Sequence, residues 1–291
     1  MQSLKMMSFN IDGSDENPIE TRKWHKRRPL CVDILSLSNA DLIGLQEVQT
    51  HNRAEIDTQL VQYASEYGVR TVYDISEEAF YNPIYWKSDR FEKISSGSFY
   101  LSKTPTMWSK AWDAMHVRAA NWVKLQCKQS GYIFMYMNVH LDHHGSRSRL
   151  ESSKLIISET RKLTNDFHIP MIISGDFNAR AWAPSDEGLR KYPPPVVQKY
   201  LPEGGIAHHL YTDENFKDAY IEAGNMNQLS MNTYHDYNGD SFPPVALRID
   251  WILMRDGEQK FRTKNYARVD YATPPIYPSD HFPLTVDLIL C

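Results

Sequence analysis

The chain sets oxygen-bearing or imidazole side chains where its apolar runs stop. Asn10 follows "MSF", Glu47 lies near the end of "LIGLQEV", His140 ends "YMNVH", and Asp176 and Asn178 sit in "IISGDFNAR". Asp250 falls in "LRIDWILM" and the pair Asp280-His281 precedes "FPLTVDLIL". Taken singly, each has an ordinary reading: Asn10 and Asp176-Phe177-Asn178 as turn formers, Glu47 as solvated, His140 as a hydrogen-bonded core residue, Asp250 as a partner for Arg248. Together, carboxylates, amides and two histidines form the donor set that a hard divalent cation and a phosphoester need.

Strand-like and helix-like stretches carry these residues. Leu4 to Ile11 reads as a strand, Leu30 to Leu37 as a helix with Pro29 in its first turn, and Leu42 to Val48 as a second strand. A helix over Arg53 to Tyr67, closed by Gly68, comes next. Thr71 to Ile75, Pro83 to Lys87, Arg118 to Cys127 and Tyr132 to His140 read as strands, the last two joined at Gly131. Arg147 to Phe167 reads as a helix leading to the strand that starts at Pro170. In that strand the two-residue period puts Asp176 and Asn178 on one face and turns Phe177 into packing.

The pattern loosens over about 182–215, where Pro184, Pro193-Pro194-Pro195, Pro202 and Gly204-Gly205 argue for an inserted loop. A short helix over Phe216 to Ala223 follows, then strands at Leu247 to Met254, Phe261 to Val269 and Phe282 to Leu290. The sum is a strand-rich α+β chain, most simply two packed sheets with helices outside.

Its 291 residues fit one domain spanning 1–291, and 42% hydrophobic with 12% aromatic residues supplies a sizeable core. No apolar stretch approaches the roughly eighteen residues of a membrane span. The net charge of −4, from 32 basic and 36 acidic residues, provides no global positive field for long nucleic acid. The basic run Arg22-Lys23 with Lys26-Arg27-Arg28 reads as the solvated side of a helix. Cys31, Cys127 and Cys291 are too scattered for a zinc or redox pair, and the first two read as core residues. The N-terminus, with no long apolar region before its first strand, points to the cytoplasm, and a monomer is expected.

The segments "MSFNI" at 7–11, "DLIGLQEV" at 41–48, "NVHLDHHG" at 138–145, "ISGDFNA" at 173–179, "RIDWILM" at 248–254 and "YPSDHFPLTVDL" at 277–288 resemble the endonuclease/exonuclease/phosphatase superfamily, in the family's order and over nearly the whole chain. That superfamily includes deoxyribonuclease-I-like nucleases, abasic-site endonucleases, inositol-phosphate phosphatases, neutral sphingomyelinases and poly(A) deadenylases. A closer resemblance, to a microbial branch of metal-dependent hydrolases, lies in 82–105, "WDAMHVRAANW" at 112–122 and "HLDHHGSRSRLESSKLI" at 140–156.

The resemblance implies a four-layer αββα sandwich, two packed and mostly antiparallel sheets flanked by helices, with strand ends converging on one cleft. It implies Glu47 as the principal ligand of Mg2+, or of Mn2+ as the alternative ion, with Asn10 completing or positioning the site and Asp280 beside it. His281, oriented by Asp250, acts on the phosphate or serves as general base. Asp176 orients or deprotonates the attacking water, and Asn178 and His140 donate to the phosphate. Arg118 offers a planar donor fork to the same group. Asp142, His143 and His144 are adjacent, so the alternation of a strand lets only one or two face the cleft. Arg147 and Arg149 read as helix entry and surface pairing.

The resulting expectation is an Mg2+-dependent hydrolase of a small or accessible phosphoester, whether a nucleotide, a sugar phosphate or a lipid headgroup. A nuclease or deadenylase on single-stranded nucleic acid, with Trp182, Tyr192 and Tyr200 stacking on bases, is the alternative. A non-catalytic binding protein on the same fold is a third, disfavoured because every matched site position is occupied. After "GDFNA", Arg180-Ala181-Trp182-Ala183 departs from the family's pattern, and a second insertion covers 235–244. Both belong at the rim of the cleft, where substrate choice is made.

Overall fold

The computed structural model describes residues 2–71, 78–181, 205–225, 231–241 and 247–291. Two six-stranded sheets dominate it. The first runs in the order β13 (Phe261–Arg268), β14 (Leu284–Leu290), β1 (Gln2–Asn10), β2 (Leu42–Gln46), β6 (Ile84–Lys87), β4 (Tyr63–Glu66). The second runs β11 (Lys217–Asp218), β12 (Asp250–Arg255), β10 (Met171–Asp176), β9 (Ile133–His140), β8 (Ala119–Cys127), β7 (Phe91–Tyr100). A small ribbon pairs β3 (Val48–Gln49) with β5 (Phe80–Tyr81).

Each large sheet is antiparallel except at its centre, where β1 lies parallel to β2 and β9 parallel to β10. Parallel neighbours need a crossover, supplied by helix α1 (Trp24–Ser38) in one sheet and α3 (Ser146–Leu163) in the other. Helix α2 (Thr50–Gln59) joins α1 on its side. Helices α4 (Ile206–Asp213) and α5 (Ala219–Glu222) follow in the second half of the chain, with α4 packed on α3.

Strand alternation divides most of the described apolar residues among three large cores. Even-numbered positions such as Leu4, Met6, Leu42, Tyr136, Ile172 and Ile252 meet between the sheets. Odd-numbered Met7, Phe9, Ile43 and Leu45 pack under α1 and α2 with Cys31, Ile34 and Ile56. Met137, Val139, Ile173, Phe177 and Trp251 pack under α3 and α4 with Ile156 and Tyr211. Helix, sheet, sheet and helix are therefore the four expected layers. Gly44 lets the sheets approach, since a Cβ there would stand 2.1 Å from the Tyr136 hydroxyl. No helix among the described residues is long and apolar enough to cross a membrane.

Several expected elements differ. Pro29 lies inside α1 rather than in its first turn. The helix expected over Arg53 to Tyr67 stops at Gln59, and Tyr63–Glu66 pairs antiparallel with β6 instead, an edge position where tertiary pairing overrides the helical spacing. β7 escaped notice because "FEKISSGSFY" is largely polar and only partly buried. Within the expected loop at 182–215, Ile206–Asp213 is helical after Gly205, while 182–204, with Trp182, Tyr192 and Tyr200, lie outside the described residues. So do most of the strand expected at Thr71 to Ile75 and part of the 235–244 insertion. The helix expected over Phe216 to Ala223 is β11 followed by the single turn of α5.

The basic run is not wholly solvated either: Lys26 and Arg28 are exposed, but Arg27 is fully buried. Nor does Arg248 pair with Asp250. Its guanidinium forks onto Asp218 at 2.7 and 3.2 Å, and His208 Nε2 meets the same carboxylate at 2.8 Å. Burial opposes that charge, but Arg248 and His208 hold the Asp218 carboxyl well below the usual range. Arg248→Met would leave Asp218 charged and buried, so urea denaturation is expected to show a loss of about 3–5 kcal/mol. Replacing Asp218 by Leu in the same chain should recover most of that loss.

Candidate active site

Sheet register aligns three of the site residues read from the sequence. Asp176, at the end of β10, stands opposite His140 of β9 on one side and Asp250 of β12 on the other. Residues paired across a sheet share a face, here the face toward the other sheet. Asn10 ends β1 opposite Gln46, and His281 lies just ahead of β14. Glu47 falls in the break between β2 and β3, with its backbone in the left-handed region at φ 61°.

Gly175 allows the close approach that this alignment needs. Its φ is 144°, and a Cβ there would sit 1.9 Å from the Val139 carbonyl oxygen. Below the charged mouth lies a polar belt. Gln46 Nε2 donates to Asn138 Oδ1 at 2.7 Å, Asn138 Nδ2 donates to the Leu45 carbonyl at 2.7 Å, and the Tyr136 and Ser174 hydroxyls meet at 2.8 Å.

Asp176 Oδ2 is where the two sheets touch at the mouth. Asn10 Nδ2 donates to it at 3.0 Å, while His140 Nε2 lies 3.4 Å away and His281 Nε2 3.6 Å away. Asn10 also donates to Glu47 Oε1 at 3.0 Å, so its amide ties the two carboxylates together.

The two histidines are in opposite states. Burial and Arg118 lower the pKa of His140 well below its ordinary value. Arg118 Nη1 lies 3.0 Å from His140 Nδ1, and a guanidinium only donates, so this neutral ring carries its proton on Nε2, toward Asp176. Burial also disfavours charge on His281, but Asp250, Asp176 and Asp280 outweigh it and raise that pKa well above the ordinary value. Its Nδ1 meets Asp250 Oδ2 at 2.9 Å.

The nearby cations do not fully offset the burial and mutual repulsion of Glu47, Asp176 and Asp280. Burial pushes Glu47 up to about 8, with Asp12 and Asp280 pushing the same way. Burial likewise raises Asp280 to about 6 and Asp176 to about 6, against the opposing pull of His281. Glu47, His140 and Asp176 bring ligand atoms within 4.8 Å of one another, as do Asp176, Asp250 and His281. With His140 Nε2 protonated, the Glu47 and Asp176 oxygens are the donors that fit a hard divalent cation, which would relieve their repulsion. The second group is occupied by the Asp250–His281 hydrogen bond, so Glu47 and its neighbours make the better fit.

Asn178 does not follow strand alternation. The strand stops at Asp176, and Asn178 is left-handed at φ 48°, its backbone N–H on Asp176 Oδ1 at 2.8 Å and its side-chain amide on the Leu141 carbonyl at 3.0 Å. Phe177 does turn into packing, stacked 4.1 Å from Trp251. Of the three adjacent candidates, Asp142 is buried and accepts the backbone N–H groups of Met115, His116, His144 and Gly145. His143 is exposed and stacks on His116 at 5.1 Å, and His144 is exposed. Arg149 is buried and donates to the Asp142 carbonyl at 2.7 Å, which corrects its reading as a surface pair.

Two residues at the site went unassigned by sequence. Asp12 accepts the Tyr237 hydroxyl, and its only sequence signal was its place two residues beyond Asn10. Tyr234 bridges to His281 through the backbone, and its ring centroid lies 5.1 Å from that of the imidazole, in a stretch with no distinctive pattern.

Two packed sheets flanked by helices, with this cluster at one edge, make a deoxyribonuclease-I-like sandwich. Residues 7–281 match the Endonuclease/Exonuclease/phosphatase family, and the chain belongs to it. Nocturnin of Xenopus laevis is 21% identical over 308 aligned positions, covering 98% of this chain and 72% of that protein. Among solved structures, the mannosyl-6-phosphatase of Bacteroides thetaiotaomicron superposes with a TM-score of 0.77 at 24% identity, covering 98% of this chain and 99% of the other. D. rerio TDP2, solved with a single-strand DNA product, gives 0.68 at 18% identity over 99% of this chain and 100% of that one.

The raised pKa values set a sign for stability against pH. Metal-free folded protein holds a proton on Glu47 up to about 8, whereas the unfolded chain releases it near 4.3, at roughly the free value. His281 also keeps its proton above the unfolded value of roughly 6.5, while His140 and the other histidines with lowered pKa, His116, His143, His208 and His235, are neutral in both states once the pH is about a unit above that value. Above about pH 7.5 the melting temperature of metal-free protein should therefore fall as pH rises through about 8, and Mg2+ should raise it more at the upper pH than at the lower. Thermal scans giving the opposite trend would contradict these assignments.

Proposed function

We propose that this chain, acting as a single domain, is an Mg2+-dependent hydrolase of a small or accessible phosphoester. The observation that carries the reading is the opposition across Asp176: crowded carboxylates on one side, and on the other Arg118 and an imidazole held neutral with its proton facing inward. Glu47 would hold the cation, with Asp280 adding charge beside it and Asn10 fixing the two carboxylates it bridges. The bound ion supplies neutralisation of charge on the phosphate and the leaving oxygen.

The remaining steps belong to the chain's own side chains. His281, kept protonated by Asp250, suits a donor to phosphate oxygen better than a base. Asp176, raised to about 6, can take a proton from water near neutral pH, which favours it as the general base. His140 would donate from Nε2, and the second N–H of the Asn178 amide stays available beside its bond to Leu141. Arg118 is buried, and its Nε has no partner among the described residues, which suits a guanidinium awaiting an anion.

The full-chain likeness to a mannosyl-6-phosphatase supports a sugar phosphate or similarly small substrate, in keeping with the net charge of −4. The likeness to a protein solved with single-strand DNA product supports the second reading, a nuclease on single strands. A panel of sugar phosphates, nucleotides, a bis-aryl phosphodiester and homopolymers, each with Mg2+, Mn2+ or Ca2+, separates them. Glu47→Ala, Asp176→Asn and His281→Ala should each lower turnover by about 10²–10⁴ on whichever substrate is cleaved. Near-native turnover in all of these variants would sink the mechanism, and no metal-stimulated hydrolysis of any panel member would leave a binding protein.

A further inference from the structure

Arg27 has no part in the mechanism above, yet its guanidinium is fully buried beneath the carboxylate cluster. It donates almost entirely to backbone. Nε bonds the Arg22 carbonyl at 2.5 Å, Nη1 bonds the carbonyls of Ile11 at 2.8 Å and Pro278 at 2.7 Å, and Nη2 bonds the carbonyl of Asp12. Ile11 and Asp12 continue the loop that starts at Asn10, while Pro278 leads into Ser279, Asp280 and His281. Ser279 strengthens the same junction, its hydroxyl donating to the Asn10 carbonyl at 2.6 Å. Among the described residues its carboxylate partner is Asp12, with Oδ2 at 3.6 Å, so the cation is not cancelled by a close ion pair.

We propose that Arg27 is a positioning residue for the divalent-cation site. Its fork clamps the Asn10–Asp12 loop to the Pro278–His281 loop, and its fixed charge holds mutually repelling Asp12 and Asp280 together beside Glu47 until a cation arrives. The proposal rests on the metal reading of that cluster. The geometry requires arginine, because a lysine ammonium is a point donor that cannot reach carbonyls on separate loops in one plane. Tyr237 completes the clamp: its hydroxyl bonds Asp12, and its ring lies 5.4 Å from the guanidinium.

The test uses the full chain with Arg27→Lys, which keeps charge and loses the fork, and Arg27→Gln, which loses charge. Calorimetric titration with Mg2+ should show binding about 10- to 100-fold weaker in both, the range typical when support behind a ligand is removed. The concentration of Mg2+ giving half-maximal gain in melting temperature should move by a similar factor, while kcat at saturating Mg2+ is largely retained. Variants that melt lower but bind Mg2+ as the wild type does would reduce Arg27 to a core residue and overturn the assignment. So would failure of both to fold even in high Mg2+. Wild-type protein that binds no divalent ion would instead sink the metal reading itself.

Discussion

One carboxylate oxygen joins the two halves of this molecule at their functional edge. Asp176 Oδ2 belongs to one sheet and receives Asn10 and His281 from the other, with His140 beside it on the neighbouring strand. Its position follows from register rather than from any loop: the parallel pairing of β9 with β10 and the antiparallel pairing of β10 with β12 bring His140, Asp176 and Asp250 abreast. A one-residue slip in either pairing would turn the set outward. That part of the site is held by the sheet itself, while Glu47, Asp12, Asp280 and His281 come from the segments between strands.

The space between the sheets changes character along its length. Ile172, Ile252 and Met6 fill its far end, Ser174, Asn138 and Gln46 form a hydrogen-bonded belt, and Asp176, His140 and Asn10 open at the mouth. Without the belt, the mouth's charges would lie directly against the apolar core, at a desolvation cost that hydrogen bonds here partly offset. Arg27 and Arg118 bring fixed positive charge to the cluster from different sides, one through backbone carbonyls and the other through His140. Such placement adds positive charge near the carboxylates without either guanidinium closing directly on Glu47 or Asp176.

Much of this was legible in the sequence because strands write their burial with a period of two. Asp176 and Asp250 stand out at the ends of runs whose alternate members fill different cores, and the resemblance supplied the order in which such ends assemble. Legibility failed where a contact joins distant segments. Arg27 looks like one member of a solvated basic run, and only the fold brings the Pro278 carbonyl to it across the chain. Asp142 looks like a ligand among histidines, yet it accepts four backbone N–H groups. Tyr63–Glu66 carries helical spacing, but a neighbouring edge captured it. Asn178 defeated the alternation argument because the strand ends before it.

The left-handed backbone at Glu47 separates what folding prefers from what chemistry needs. At φ 61° a glycine would be the relaxed choice, and a side chain there is strained by roughly 1 kcal/mol. Burial beside other acids adds a further penalty to the same residue. A lineage selected for stability alone would drift away from glutamate at this position. A glutamate that is both strained in its backbone and buried beside other acids is one that packing alone does not account for.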